Sequence, residues 1–360
     1  MKNKNKQTPQ DIYAWCCDYE NYRGEGRLAR CFVEHVIKKK KINFYIKTPY
    51  YFCRVNKKNL NTNIIKIKKK INLSLANKYV APFMGILWLW KNFFLRRKIA
   101  YINFNPLWNI FLFILCPPGT IFGPITGSVY DGNITNFNKF IRAFLFPFLF
   151  RISFFFLNIR KNKILFSTSL LKKIVPNFFF DKCIFDFQII YYTSLIKNKK
   201  KIIKNIDLIY YNRVHDQKKN LPTYKILKLL SNLDKYKKIV IGNNLPLKSY
   251  SNLKIVEHKK LLILLSRSKY TFFSPENHLS MFLLEALSAN TKIFIDNKNK
   301  EILNYFEKNN FIFLDFSNEE ILLKKIMFYL HFDFKMNKTK LKKNILNNLN
   351  NEINHYLDEF

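Results

Sequence analysis

Two kinds of apolar block alternate along this chain. Short apolar runs bounded by polar or glycine-bearing stretches predict buried strands, and apolar residues recurring at three- and four-residue spacing predict helices. Residues 12–17 are a run of the first kind, ending at Asp18. A polar stretch over residues 19–26 follows and holds two of only eight glycines. Leu28, Cys31, Phe32, His35 and Val36 then share one face of a helix over residues 27–37. Strand, glycine-bearing loop and helix form the opening unit of a doubly wound sheet, where ligands sit at the C-terminal ends of strands. Further strands are predicted at 42–46, 100–104, 120–122 and 164–167, with a tight loop at 123–128 and a short helix at 169–174. Residues 183–190 close the first half.

The pattern restarts with strands at 206–211, 238–241, 253–256, 270–273, 292–295 and 311–314. Helices are predicted at 223–233, 259–266, 280–289 and 341–356, the last rich in Asn. The charged run near 197–204 suits a linker. A length of 360 residues suggests two domains, each able to bury a core. The expected division is 1–200, 201–340 and a terminal helix over 341–360.

Composition changes this picture little. Phe occurs 37 times and Tyr 20 times, and Lys, Asn and Ile are abundant in core and surface segments alike, a bias that AT-rich coding produces. The net charge of +38 attracts polyanions, whether nucleic acid, acidic headgroups or phosphorylated substrates. The lysine runs at 38–41, 66–70 and 199–201 sit between apolar blocks, and no zinc knuckle, helix-turn-helix or RNP-type motif is present, so no specific nucleic-acid partner is expected. None of the six cysteines forms a CxxC pair, which predicts buried, reduced thiols in a cytoplasmic protein. The first ten residues are basic and polar, with no secretory signal. Residues 140–159 approach a membrane span in length, but Arg142, Pro147 and Arg151 interrupt them. They read as a buried helix or as a basic amphipathic helix on a membrane surface.

Candidate chemistry gathers in residues 270–289. A strand ends at Ser274 and Pro275, and Glu276, Asn277 and His278 lead into an apolar helix carrying Glu285. Asn277 is a plausible N-cap, and amides at that helix start would bind a phosphate. On periodicity alone, Glu285 points to solvent or pairs with a nearby lysine; a buried carboxylate needs a partner. Arg213 and Lys218 follow the strand at 206–211, where two cations would neutralise a diphosphate. The six histidines show no metal spacing and no DxD-type motif stands out, so no metal is expected.

Leu284-Glu285-Ala286 behind a strand ending in Ser274-Pro275, together with Arg213 and Lys218 five places apart, resembles the signature of the GT-B-fold "group 1", family 4-like retaining nucleotide-sugar glycosyltransferases. Asn277 stands where the family has its first Glu, with Glu276 one place early, and Asn212 replaces a Gly. Gly24-Glu25-Gly26, and Gly123 with Thr126 and Gly127, resemble the glycine loops of the N-terminal domain, and Gly242 the end of a second-domain strand.

The resemblance implies an α/β GT-B fold, two Rossmann-like domains facing across a cleft. It also implies a hexosyltransferase acting on a nucleotide-diphosphate sugar, metal-independent, retaining and without a cofactor, since the nucleotide-sugar is a co-substrate. Arg213, Lys218 and Glu285 would be catalytic, Glu285 on the donor ribose. Ser274, Glu276, Asn277, His278 and Gly242 would bind donor. Gly24, Glu25, Gly26, Gly123, Thr126 and Gly127 would line the N-terminal side. Where the family can carry a His after an N-domain strand, this chain has Asn103-Phe104-Asn105. The acceptor expected is a cell-envelope saccharide or lipid-linked molecule, reached by peripheral contact with acidic lipids at the inner membrane face. Asn212 and Asn277 keep open a GT-B-fold binding protein without catalysis; a basic polyanion-binding protein is the remaining alternative.

Overall fold

The computed structural model describes residues 9–20, 24–57, 64–66, 76–103, 105–126, 140–160, 163–196, 202–212, 221–245, 247–254, 256–273, 279–332 and 340–358. The chain divides into two compact units: Met1–Ile190 with Asn348–Phe360, and Tyr191–Asn347. Each is a Rossmann-like α/β unit, the expected fold class.

Unit 1 holds a six-stranded sheet built from β1 (Gln10–Cys16), β2 (Ile42–Lys47), β3 (Tyr51–Val55), β4 (Ile64–Lys66), β5 (Lys98–Asn103) and β6 (Ile121–Phe122). The order is β4-β3-β2-β1-β5-β6. β1 runs parallel to β2 and β5, and β5 to β6, while β3 and β4 extend the edge antiparallel. The parallel strands carry apolar runs through their middles, such as Ile99–Ile102 of β5, because helices pack on the sheet. A second, two-stranded pairing joins β7 (Ile164–Leu165) and β8 (Cys183–Ile184). The helices are α1 (Gly24–Lys39), α2 (Ala76–Phe94), α3 (Ile110–Leu115), α4 (Phe146–Ile159, preceded by a π turn over Ile141–Leu145) and α5 (Gln188–Leu195), whose last residues belong to unit 2.

Within unit 1 three stretches differ from the expectations. The glycine stretch before α1 is not all loop: Gly24, Glu25 and Gly26 form the helix's first turn, Gly24 at φ +49° and Glu25 placed where the helix dipole favours an anion. The strands β3 and β4 and the helix α2 carried no prediction. On α2 the apolar residues surround the helix and Pro82 interrupts it, so no amphipathic period stands out. Residues 140–159 are helical but not wholly buried: Phe150, Ser153, Phe154 and Leu157 face the core while Phe148, Phe155 and Ile159 are exposed.

Unit 2 holds the sheet β11-β10-β9-β12-β13-β14, all parallel, with β9 (Ile206–Asn212), β10 (Lys238–Gly242), β11 (Tyr250–Leu253), β12 (Ser268–Phe272), β13 (Lys292–Asp296) and β14 (Phe311–Leu314). This 3-2-1-4-5-6 order reverses direction between β9 and β12, the topological switch point where doubly wound sheets bind ligands. Its helices are α6 (Leu221–Leu230), α7 (His258–Ser266), α8 (Met281–Ser288), α9 (Glu319–His331) and the start of α10 (Lys343–Leu357). β11 lies earlier than residues 253–256, because this edge strand exposes Ser251 and Asn252 and so lacks an apolar run.

From residue 348 the last helix packs in unit 1 rather than standing apart. Ile353, Tyr356 and Leu357 are buried there, and the Tyr356 hydroxyl donates to the Phe122 carbonyl. Of the expected linker, 197–201 lie outside the described residues, and Lys204 is fixed within unit 2. Its ammonium donates to the carbonyls of Ser268, Ala289 and Asn290 at 2.8, 3.1 and 3.2 Å, placing a cation at the C-terminal end of α8 where the dipole favours it. Lys204→Met leaves these carbonyls without their cation. We expect it to cost unit 2 about 2 kcal/mol, read as a lowered urea midpoint.

Candidate functional site

β9 and β12 are neighbours, pairing Leu208 with Tyr270 and Ile209 with Thr271, so the chain leaves the switch point twice side by side. Arg213 and Lys218 follow β9 in the chain, and Ser274, Glu276, Asn277 and His278 follow β12; these six lie outside the described residues. The elements that flank them are placed. Tyr211, near the end of β9, stacks on Phe282 of the first turn of α8, with ring centroids 5.3 Å apart and planes 25° apart. The end of β9 and the start of α8 therefore meet. The helix is capped by Ser280, whose hydroxyl accepts from the Leu283 amide at 3.4 Å. This corrects the expectation that Asn277 is the cap: the helix starts three residues later, and Ser280 satisfies its amide.

Asn212 and Gly242 finish the rim on the other side. The Asn212 carbonyl accepts from the Asn243 amide at 3.0 Å, and its side-chain amide donates to the Asn243 carbonyl at 3.1 Å. Gly242 has φ +105°, and a Cβ there would lie 2.2 Å from the Asn212 carbonyl oxygen. Only glycine permits this approach. The structure thus gives Gly242 a backbone role beside the residue that stands where the family has its glycine.

Glu285, one turn into α8, is buried. The Tyr191 hydroxyl donates to its Oε1 at 2.6 Å, and His258 Nε2 lies 3.3 Å from the same oxygen. His258 opens α7, which packs on α8, and Tyr191 is the first residue of unit 2. Glu285 is thus buried rather than open to solvent, and among the described residues Tyr191 and His258 both reach its Oε1. Short donation from a hydroxyl to a carboxylate fixes the rotamer and aims the carboxyl group. Sequence reading missed Tyr191 and His258, which no spacing links to Glu285.

In unit 1 the corresponding switch point lies between β1 and β5. Glu25, at the start of α1, bonds the Thr126 side chain beyond β6 and senses Asp18 beyond β1. Burial pushes its carboxyl up to about 7, and its Oε2 is closed off from solvent with no hydrogen-bond partner among the described residues. Asn103, ending β5, is 2% exposed, and neither its side-chain oxygen nor its nitrogen has a partner among the described residues. Asn105 donates to the Tyr101 carbonyl at 3.1 Å and leaves its Oδ1 without one. Buried polar atoms are nearly always paired, and groups left open at the carboxyl ends of strands suit a hydroxyl-rich ligand.

Gly24, Glu25, Gly26, Gly123 and Thr126 are thus placed at this end of the sheet. The Gly123 amide donates to Tyr101 O at 2.8 Å, and a Cβ there would meet Ile102 O. Gly127 and Phe104 lie outside the described residues. His35 is not part of the set: burial beside Lys39 and Lys38 lowers it to about 4, and it packs edge-on to Phe187. The cysteines are free, and burial pushes Cys17 to about 11 and Cys31 and Cys116 to about 12, so these three supply no thiolate near neutral pH. Among the described residues no set of His, Cys, Asp and Glu side chains could hold a metal ion.

No protein-family profile matches the chain. No curated protein matches it in sequence. Solved structures similar to it include WaaG, a glycosyltransferase involved in lipopolysaccharide biosynthesis, at 12% identity over 96% of this chain and 95% of that one, with a TM-score of 0.47. Another is the UDP-GlcNAc 2-epimerase of Methanocaldococcus jannaschii, at 12% identity over 96% and 100% and a TM-score of 0.45. A third is the DNA-modifying β-glucosyltransferase, at 12% identity over 97% and 98% and a TM-score of 0.44.

Proposed function

We propose that the chain is a GT-B-type glycosyltransferase that binds a nucleotide-diphosphate sugar in unit 2 and moves its sugar to a saccharide or lipid-linked acceptor. One observation carries the reading. The strand that precedes Arg213 and Lys218 and the helix that carries Glu285 meet at the switch point of unit 2, joined by the Tyr211–Phe282 stack. In this role Glu285, aimed by Tyr191 and His258, accepts from ribose hydroxyls. Arg213 and Lys218 neutralise the departing diphosphate, whose developing charge is the main barrier to leaving. Ser274, Glu276, Asn277 and His278 hold the donor sugar and phosphates. The sequence resemblance implies retention of configuration at the anomeric carbon and transfer without a metal.

A second stereochemical reading rests on Glu25. A carboxyl held near 7 matches the requirement of a general base that takes the proton of an acceptor hydroxyl, which suits direct displacement and inversion. Proton NMR of the anomeric product separates the two.

The test is calorimetric titration of UDP, GDP and ADP into the whole protein, alongside Arg213→Ala. Saturable binding of one nucleotide, at least tenfold weaker in the variant, is expected, about 1.4 kcal/mol or more. Binding with slow donor hydrolysis supports an enzyme; binding without turnover on any donor supports the non-catalytic alternative. If none of the three binds, the donor site is wrong, and salt-sensitive binding to any polyanion becomes the better description.

A further inference from the structure

Helices α2, α3 and α4 of unit 1 each bury one face and leave an apolar stripe on the other. On α2 the exposed stripe runs through Phe83, Leu87 and Phe94, the last two 73% and 74% exposed. On α4 it runs through Phe148, Phe155 and Ile159, about 60% exposed each (60%, 58% and 59%), with exposed Arg151 between them. α3 joins the two. Its exposed Phe111 meets Phe83 with ring centroids 6.3 Å apart, and the Trp90 indole donates to the Leu115 carbonyl at 2.8 Å. α3 packs on α4, whose following residue Arg160 donates to the carbonyls of Phe113, Pro117 and Cys116. Monomers seldom leave so many large apolar side chains together in water.

Charge decides what covers them. Between Ala76 and Arg160 the sequence contains one acidic residue, Asp131, which lies outside the described residues, while Lys91, Arg96 and Arg151 are exposed on or beside these helices. A second copy docked face to face would set these cations against their own equivalents, a like-charge cost. An anionic bilayer offers the complement to both features, a phosphate layer above an apolar interior. Among the described residues no helix is long and apolar enough to cross a membrane, so the contact is with the surface.

We propose that this face of unit 1 docks on an anionic bilayer, with Leu87, Phe94, Phe148 and Phe155 entering the acyl boundary and Lys91, Arg96 and Arg151 meeting headgroup phosphates. The surface belongs to unit 1 alone. Its failure would leave the donor reading of unit 2 untouched, and its success would favour a lipid-linked acceptor within that reading.

The experiment is co-sedimentation of the full chain with vesicles of phosphatidylcholine alone and of phosphatidylcholine mixed with phosphatidylglycerol. Phe148→Asp/Phe155→Asp and Arg96→Gln/Arg151→Gln variants are compared at low and physiological salt. Binding to the anionic vesicles is expected, at least tenfold weaker in the aspartate variant at both salts, and reduced in the glutamine variant chiefly at low salt, where the attraction of cations to headgroup phosphates is least screened. Circular dichroism checks that these exposed changes leave the fold intact. The proposal fails if the aspartate variant binds as the parent does, since the +38 charge alone then explains adsorption. It also fails if the parent does not bind, or if it forms dimers in gel filtration that the aspartate variant abolishes.

Discussion

Glu285→Ala is expected to weaken nucleotide binding at least tenfold and to destabilise unit 2, whereas Tyr191→Phe destabilises without that loss of affinity. Tyr191 donates to Oε1 at 2.6 Å and His258 Nε2 lies 3.3 Å from it, so a carboxylate at 4% exposure is held by two groups on the same side. Removing the carboxylate takes from the Tyr191 hydroxyl its short acceptor, leaving it His258 Nε2 at 3.4 Å, and takes this anion from His258, at a cost of about 2–4 kcal/mol. Removing only the Tyr191 hydroxyl loses a bond to a charged acceptor, about 1.5–3 kcal/mol, while the carboxylate stays. If Glu285 holds ribose hydroxyls, affinity follows the carboxylate. If it is only a strut, affinity follows stability, and the two variants weaken binding in proportion to their urea midpoints. Calorimetry beside urea denaturation reads both, and parallel losses in the two variants would sink the ribose assignment.

This cluster also marks where sequence reading reaches its limit. The strands of unit 2 were legible because parallel strands covered on both faces are continuous apolar runs: β13 and β14 start and end within one residue of their predicted bounds. β11 was displaced because an edge strand with two exposed polar residues has no such run. α2 was missed for the opposite reason, apolar residues all round the helix. The motif around Glu285 could be recognised as a pattern, yet its environment could not be read. The Tyr191 contact spans 94 residues, and His258 looked like any other histidine. Only the return of the chain to α7 and α8 brings the three together. The start of α1 was misassigned because two glycines signal a turn in sequence, while here they open a helix and let Glu25 sit against the ends of the strands.

That placement of Glu25 yields the second large effect. Its carboxyl is pushed to about 7 by burial, with Asp18 adding to the rise and the Thr126 bond opposing it. In the unfolded chain a glutamate titrates near 4.3. Between these values the folded state holds more protons than the unfolded one, so stability falls as pH rises from about 4.5 to 7 and is level above. Glu25→Gln removes the penalty of burying the charge. The variant should match the parent near pH 4.5 and exceed it above pH 7 by about 1–2 kcal/mol, the full linkage value reduced because the side chain is only partly enclosed. Denaturation across pH 4.5–8 reads the difference, and equal stability at both ends would remove the buried-charge account. Turnover should move the opposite way. If the ionised carboxylate takes the acceptor proton, Glu25→Gln lowers kcat on the order of 10²-fold and abolishes the rise in rate near pH 7, with donor affinity unchanged. A variant that is more stable and equally active would confine Glu25 to a structural cost. A more stable and inactive one would identify a residue kept at the expense of stability for the proton it accepts.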